Sequence, residues 1–376
     1  MVRSRVLFIS FILIAALRAQ SATAEVLIGI ATALTGPVAW EGASSQVGVD
    51  AAVAQLNAQG GVLGERIETI VVDDACAADQ AVVAARKLID AGVVLIIGHH
   101  CSAASIPASQ LYAEAGALMI SAFSTNPKVT EQGLFTVFRV QGRDDRQGEM
   151  AGDLLVERFG HQPIAILHDG TVYGQDLAGY TKARLNERGV NEALFAAIEP
   201  GQLDYSDVIR RMRAADVAVL YYAGFTQEAG LITRQVRASG YDLQLVAGDA
   251  IAAEDFTLIA GPAANGTLMT YLASPPATAE NTLLAELFAA KGYAASFGLG
   301  AFRSYAVVQA WAQAVERAGT FATDSVAQVL HTQQFDTVLG RIGFDEKGDV
   351  TGYGSYVWHV WRDGEFAPWE EAAAEK

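Results

Sequence analysis

Residues 25–74 read EVLIGIATALTGPVAWEGASSQVGVDAAVAQLNAQGGVLGERIETIVVDD, a strand, a helix and a second strand in succession. Val26–Ala31 and Arg66–Val72 are apolar runs of strand length, whereas Gly42–Asn57 carries a helical period and stops at Gly60-Gly61. The alternation continues as helix Asp79–Asp90, strand Val93–Ile97, helix Ile106–Ala115 and strand Ala117–Ser121. Strands separated by helices pair in parallel, so these residues predict an α/β fold.

After Arg139 a second series begins. It comprises helix Arg146–Phe159, strand Pro163–Leu167, helix Tyr173–Arg188, a short strand near Ala193–Ala197, helix Ser206–Ala214, strand Val217–Tyr222, helix Thr226–Ala238 and strand Leu243–Ala247. Beyond strand Thr267–Tyr271, Ser274-Pro275-Pro276 breaks the pattern, and helices follow at Thr282–Lys291 and Gly300–Ala318. Val307, Val308, Trp311, Ala314 and Val315 form an apolar stripe suited to covering a sheet. The strand-like segment Tyr353–Trp361 closes the chain. The first series needs helical cover, so the late helices are expected to return to it. Each domain is then discontinuous, and several crossings act as a hinge.

The chain has 376 residues, 51% hydrophobic and 18% charged, enough for two domains with a sizeable core in each. That composition excludes disorder, collagen and a disulfide-scaffold miniprotein. Forty-two acidic against 26 basic residues give a net charge of −16, a field that repels nucleic acid and anionic lipid. The mean hydropathy of +0.23 is high for a soluble protein. Part of the excess sits in residues 1–24, where Arg3 and Arg5 precede the apolar run Val6–Leu17 and then Ala22-Thr23-Ala24, a small-x-small sequence suited to signal peptidase. The competing reading is a membrane anchor, but a span needs about 20 apolar residues, and Arg18 ends the run. Cleavage before Glu25 removes three arginines and deepens the mature charge to −19.

Cys76 and Cys101 are the two cysteines. In an exported chain an even pair reads as one disulfide. The alternative is a metal site using His99-His100-Cys101, which lacks a second Cys or a correctly spaced His.

No phosphate-binding loop, serine-nucleophile elbow, zinc-protease motif or dinucleotide fingerprint is present. Asp345-Glu346-Lys347-Gly348-Asp349 lacks calcium-loop spacing and reads as a hairpin turn. What remains are strand ends that turn into helices. In open α/β sheets ligands bind there, where helix-start N–H groups face the crevice. Gly98-His99-His100-Cys101-Ser102 follows one strand and Ala122-Phe123-Ser124-Thr125-Asn126 another, each offering a hydroxyl that suits a carboxylate. Ordinary helix capping by Ser102 and Thr125 is the alternative. Gly248-Asp249-Ala250 ends a strand of the second series, where the Asp249 carboxylate either faces an ammonium or caps the next helix. Anion donors on one domain and an acid on the other are complementary to an α-amino acid zwitterion.

Leu34-Thr35-Gly36-Pro37-Val38-Ala39, Asn57-Ala58-Gln59-Gly60-Gly61, Asp73-Asp74-Ala75-Cys76, Gly98–Ser102, Pro107-Ala108-Ser109, Tyr221-Tyr222 and Phe344–Asp349 stand in the order and spacing of the periplasmic leucine/isoleucine/valine-binding proteins, which the chain resembles over essentially its whole mature length. The resemblance implies a type I periplasmic binding fold, with two doubly wound parallel-sheet lobes joined by a three-crossover hinge. It implies lobe 1 at 25–141 plus 274–350 and lobe 2 at 142–273 plus 351–376. The cleft is expected to close on an amino acid and present it, transiently, to the permease of an ABC importer. A ligand-sensing module for a chemoreceptor, kinase or amide-responsive regulator is the rival reading. Catalysis, a cofactor, a metal, nucleic-acid binding and stable membrane insertion are not expected, and the implied state is a periplasmic monomer.

Carried over by position, Cys76 and Cys101 match the family's disulfide. Ser102 and Thr125 fall where the family binds the ligand α-carboxylate, and Phe123 where a backbone carbonyl meets the α-ammonium. Asp249 stands where the family has a Glu pairing with that ammonium, and Tyr173 matches an aromatic lining the cleft. The side-chain half departs from the family. Glu41 aligns with an aromatic, with Trp40 adjacent, while Phe225 replaces a Tyr, Gly300 a Phe, and His100 an apolar residue. These departures predict a missing apolar wall and a ligand side chain larger or more polar than leucine's. For Glu41 and His100 the competing reading is that both point to solvent or hinge.

Overall fold

The computed structural model describes residues 25–293 and 298–369. The predicted signal segment and residues 370–376 of the predicted second lobe lie outside them. The chain opens with β1 (Glu25–Thr32), α1 (Ala39–Ala58), β2 (Arg66–Asp73), α2 (Ala78–Asp90), β3 (Leu95–Gly98), α3 (Ser102–Glu114), β4 (Leu118–Ser121) and β5 (Val137–Arg139). These strands form one parallel sheet in the order β2-β1-β3-β4-β5. The second series is α4 (Asp144–Phe159), β6 (Ile164–His168), α5 (Val172–Glu187), β7 (Leu194–Ala197), α6 (Ser206–Ala214), β8 (Val219–Ala223), α7 (Thr226–Ala238), β9 (Gln244–Ala247), α8 (Glu254–Ala260) and β10 (Leu268–Leu272). Then come α9 (Ala279–Ala290), α10 (Leu299–Ala318), α11 (Thr323–Thr332), a small antiparallel sheet of β11 (Gln334–Thr337), β12 (Gly340–Phe344) and β13 (Val350–Thr351), and the hairpin β14 (Tyr356–Arg362) and β15 (Glu365–Pro368).

The second large sheet runs β15-β14-β10-β9-β8-β6-β7. Its βα part is parallel, and β14 and β15 add antiparallel strands at one edge. In both sheets the winding reverses beside the first strand, between β1 and β3 and between β6 and β8. A crevice opens at such a switch point. The central strands β3 (LIIG) and β4 (LMIS) are buried throughout, as a sheet covered on both faces requires. α2 buries Ala81, Ala84, Ala85 and Leu88 at helical spacing, and α10 packs with α1 over the same sheet. Gly48 permits that packing, since a Cβ there would meet the Ala301 carbonyl oxygen at 2.1 Å.

The structure corrects several sequence expectations. The first sheet has a fifth strand, β5, whose three residues are too short to show a period. α3 starts at Ser102, before the predicted Ile106, and carries Pro107 inside it. α9 starts at Ala279 because the Thr278 hydroxyl accepts from Asn281 N–H at 3.1 Å, a capping bond. α8 and the β11–β13 sheet have no counterpart in the predicted elements. Asp345–Asp349 is the turn between β12 and β13, closed by Asp345 Oδ1, which accepts from Lys347 and Asp349 N–H.

The chain crosses between the large sheets after β5, after β10 and after β13. Fully buried Arg139 ties the first crossing to the third through Asp349, donating also to the carbonyls of Ser124 and Asn126. Among the described residues no helix is long and apolar enough to cross a membrane.

Candidate functional site

A cleft lies between the two large sheets, lined by the segments that follow β1, β3, β4 and β5 on one side and β6, β8 and β9 on the other. All ten residues selected from the sequence line it. Trp40, Glu41, His100, Ser102, Phe123, Thr125 and Gly300 come from the first side, Tyr173, Phe225 and Asp249 from the second.

The turn before Ser102 is held rigidly. Cys76 and Cys101 form a disulfide with Cα atoms 5.3 Å apart, joining the loop after β2 to the loop after β3. Their sulfurs are therefore not available to a metal. His99 is fully buried, its Nδ1 2.6 Å from Asp74 Oδ2 and its Nε2 3.1 Å from the Tyr112 hydroxyl. Ser121 and Ser124 donate to the His99 carbonyl, and Ser124 also to that of His100. α3 thus begins at the cleft wall with Ser102 as its first residue, and a helix start favours an anion. The Ser102 Oγ accepts from Asn126 N–H at 3.2 Å and keeps its own proton to donate.

Thr125 differs from the expectation. Its hydroxyl donates to Asp144 Oδ2 at 3.0 Å while its carbonyl accepts from Asp144 N–H at 2.9 Å, so its proton is committed to α4. The capping alternative also fails here, since Asn126, not Thr125, caps the following turn through its side chain. Asp144 is buried, with Oδ1 lacking a partner. Burial, then the neighbouring Asp249 charge, holds its carboxyl far above the usual carboxylate range.

Asp249 sits at the end of β9 on a 3₁₀ turn, 7% exposed. Its Oδ1 accepts from Gln147 Nε2 and from the Tyr173 hydroxyl, each at 3.0 Å, and its N–H donates to Gln147 Oε1. Gln147 is in turn oriented by the Thr270 hydroxyl at 2.8 Å. Gly248 leaves room for this cluster, because a Cβ there would meet the Tyr173 hydroxyl at 2.7 Å. Burial raises the Asp249 pKa although Gln147 and Tyr173 oppose the shift. The positive charge of Arg303 opposes the shift as well. The Tyr173 ring packs against Phe225 at 5.4 Å, and Phe225 N–H is anchored by Asp169.

The region expected to lack an apolar wall is filled. A Cβ at Gly300 would meet Phe123 Cζ at 2.7 Å and Ser44 Oγ at 2.6 Å, so the Phe123 ring takes the space that a larger residue 300 would need. That ring also contacts His100 at 4.3 Å. His100 lines the cleft with a buried Nδ1 that has no partner, and burial pushes its pKa down to about 4, leaving the ring neutral at pH 7. Trp40 packs on Tyr293 at 4.7 Å.

Glu41 also lines the cleft, and burial pushes its carboxyl up to about 7. A raised folded pKa gives stability that is full below the ordinary value near 4.5 and is lost as pH rises through 7. Glu41→Gln is therefore expected to raise the melting temperature of the ligand-free protein by about 2–4 °C at pH 8 and by less at pH 5. Equal shifts at both pH values in a thermal melt would contradict the assignment.

Sequence reasoning missed Gln147, Asp144, Tyr271 and Arg303, which brace or line this cleft. Arg303 had a signal. It is a lone charge among Ala301, Phe302, Ser304, Tyr305, Ala306 and Val307 in a helix buried almost all round.

The comparisons with known proteins agree with this geometry. The profile described as periplasmic binding protein matches residues 25–364. The Leu/Ile/Val-binding protein homolog 1 of Brucella suis is 42% identical over 349 residues, covering 92% of this chain and 94% of its own. The leucine-, isoleucine-, valine-, threonine- and alanine-binding protein of Pseudomonas aeruginosa is 35% identical, covering 88% and 89%. Among solved structures, a leucine-binding protein of Thermotoga maritima superposes with a TM-score of 0.82 at 26% identity, covering 92% of this chain and 98% of that one. With two doubly wound sheets facing each other across a three-crossing cleft, and a profile match over nearly all described residues, the chain belongs to the periplasmic binding protein family.

Proposed function

We propose that this protein captures one amino acid, or a close relative of one, between its lobes and delivers it to the membrane permease of an ABC importer. The observation that carries the reading is Asp249, a buried cleft carboxylate braced by Gln147 and Tyr173, with Ser102 at the start of α3 on the opposite lobe. The first is complementary to an α-ammonium and the second to an α-carboxylate. The relatives named for leucine, isoleucine and valine support an amino acid as the ligand class.

Lobe 1 is taken as 25–141 plus 274–350 and lobe 2 as 142–273 plus 351–376, with residues 1–24 removed on export to the periplasm. The mechanism involves no chemistry, and the unit is a monomer. Contacts to both lobes favour the closed form, and moving the population from 1:99 to 99:1 needs about 5.5 kcal/mol of preference. Several charge-assisted hydrogen bonds at about 1.5–3 kcal/mol each supply that much.

A thermal-shift screen of the mature chain against the twenty amino acids tests the reading. A ligand at 100 times its dissociation constant adds about 2.7 kcal/mol, so at least one amino acid should raise the melting temperature clearly. No shift with any of them would overturn the proposal.

A further inference from the structure

We propose that Arg303 reads the ligand's side chain, and that the favoured ligands are α-amino acids whose side chain ends in a carboxylate, such as glutamate or aspartate. The inference rests on the amino-acid reading above and deepens it.

Arg303 projects from α10 into the cleft wall and is 3% exposed. Its Nε donates to the Ala122 carbonyl at 2.8 Å, and its guanidinium lies over the Phe123 ring, 4.9 Å from the centroid. The Phe123 ring in turn packs on His100 and sits in the space that Gly300 leaves open. The fork is therefore fixed in direction. Yet Nη1 is buried without a hydrogen-bond partner, and no ion pair among the described residues includes Arg303. The phenols of Tyr271 and Tyr353 interact with it, but neither supplies a full negative charge at neutral pH.

A buried guanidinium is normally paired, because an unpaired charge loses its hydration without compensation. Arg139 obeys that rule with Asp349. Arg303 is the exception, and it lines the ligand cleft. With the two main-chain charges of the ligand assigned to Ser102 and Asp249, the anion left to complete Arg303 belongs to the ligand side chain. Arginine suits a planar carboxylate because its N–H groups form a fork. Asp249 attracts Arg303 electrostatically, but no acid among the described residues forms an ion pair with it. Asp249 is engaged by Gln147 and Tyr173, Asp144 by Thr125, and the Glu41 carboxyl is raised by burial and by Asp255 with no contribution from Arg303.

Calorimetric titration of the mature protein with L-glutamate, L-aspartate, L-glutamine and L-leucine tests the proposal. One of the two acidic amino acids should bind about tenfold or more tighter than both L-glutamine and L-leucine, the scale of a hydrogen bond to a charged group. Arg303→Met should weaken that acidic ligand about a hundredfold while changing glutamine and leucine by less than about threefold. Arg303→Lys, which keeps the charge and loses the fork, should fall between them, and thermal melts of the ligand-free variants check folding. Tighter binding of leucine or glutamine to the wild type overturns the inference without needing any variant, and leaves the amino-acid reading standing. An equal loss for all four ligands in Arg303→Met also overturns it, placing Arg303 on the α-carboxylate. Binding of no amino acid by the wild type would fail both readings together.

Discussion

Asp249→Ala is expected to weaken amino-acid binding by about a hundredfold or more, the range measured when one member of a buried charged pair is truncated. The ligand ammonium loses its anion while the two donors that braced it, Gln147 Nε2 and the Tyr173 hydroxyl, turn toward the bound cation. The ligand-free fold should tolerate the change. Burial raises the Asp249 pKa, so in the folded apo protein its charge opposes stability at neutral pH instead of supporting it. The apo melting temperature should therefore stay within a few degrees of the wild type. Asp249→Asn separates charge from hydrogen bonding, because it keeps an acceptor for Tyr173 and loses the anion.

The same group gives a pH dependence with a definite sign. The ammonium requires ionised Asp249, so affinity should hold at neutral and alkaline pH and decline as pH falls into the raised titration range of that carboxyl. Titration in two buffers of different ionisation enthalpy would show proton release on binding near that range. Unchanged affinity in Asp249→Ala would place the ammonium partner elsewhere.

The second large effect concerns the disulfide. Replacing both cysteines, Cys76→Ser with Cys101→Ser, should lower stability by about 3 kcal/mol in the chain-entropy account of a loop this long. The loss should extend to function, because Cys101 immediately precedes Ser102 and the disulfide pins the turn that presents α3 to the cleft. Thermal melts with and without reductant, paired with titration, measure both quantities. A variant that melts at the wild-type temperature would show that the His99, Asp74 and serine network holds the turn by itself.

Much of this molecule was legible in the chain. The alternation from Glu25 to Ser121 announces a parallel sheet because apolar runs of strand length and helical periods are local properties. Strand β5 was not legible, since Val137–Arg139 is too short for a period and is recruited by pairing with β4. The late helices α9 and α10 were, after the break at Ser274-Pro275-Pro276, α10 through its apolar stripe. The small β11–β13 sheet depends on antiparallel pairing across turns and left no comparable trace.

The site divides in the same way. Ser102, Phe123 and Asp249 lie in segments that follow strand ends and could be selected by position, whereas Tyr173, inside α5, came from the family resemblance. Which hydroxyl stays free could not be read from position. Thr125 is claimed by Asp144 across the first crossing, a choice made by the packing of α4. The support that Gln147 and Thr270 give Asp249 is likewise tertiary. At Gly300 the local reading of a vacancy was mistaken because a distant ring, Phe123, occupies the space.

The central claim is that the cleft holds one amino acid by its ammonium and its carboxylate at once. Isothermal titration of the mature chain with the amino acid giving the largest thermal shift, and with its amine and carboxylic acid analogues, tests it most directly. The expected result is one site per chain for the amino acid and a loss of about tenfold or more for each analogue. Equal binding of all three, or binding of the deaminated acid with full affinity, would contradict the account.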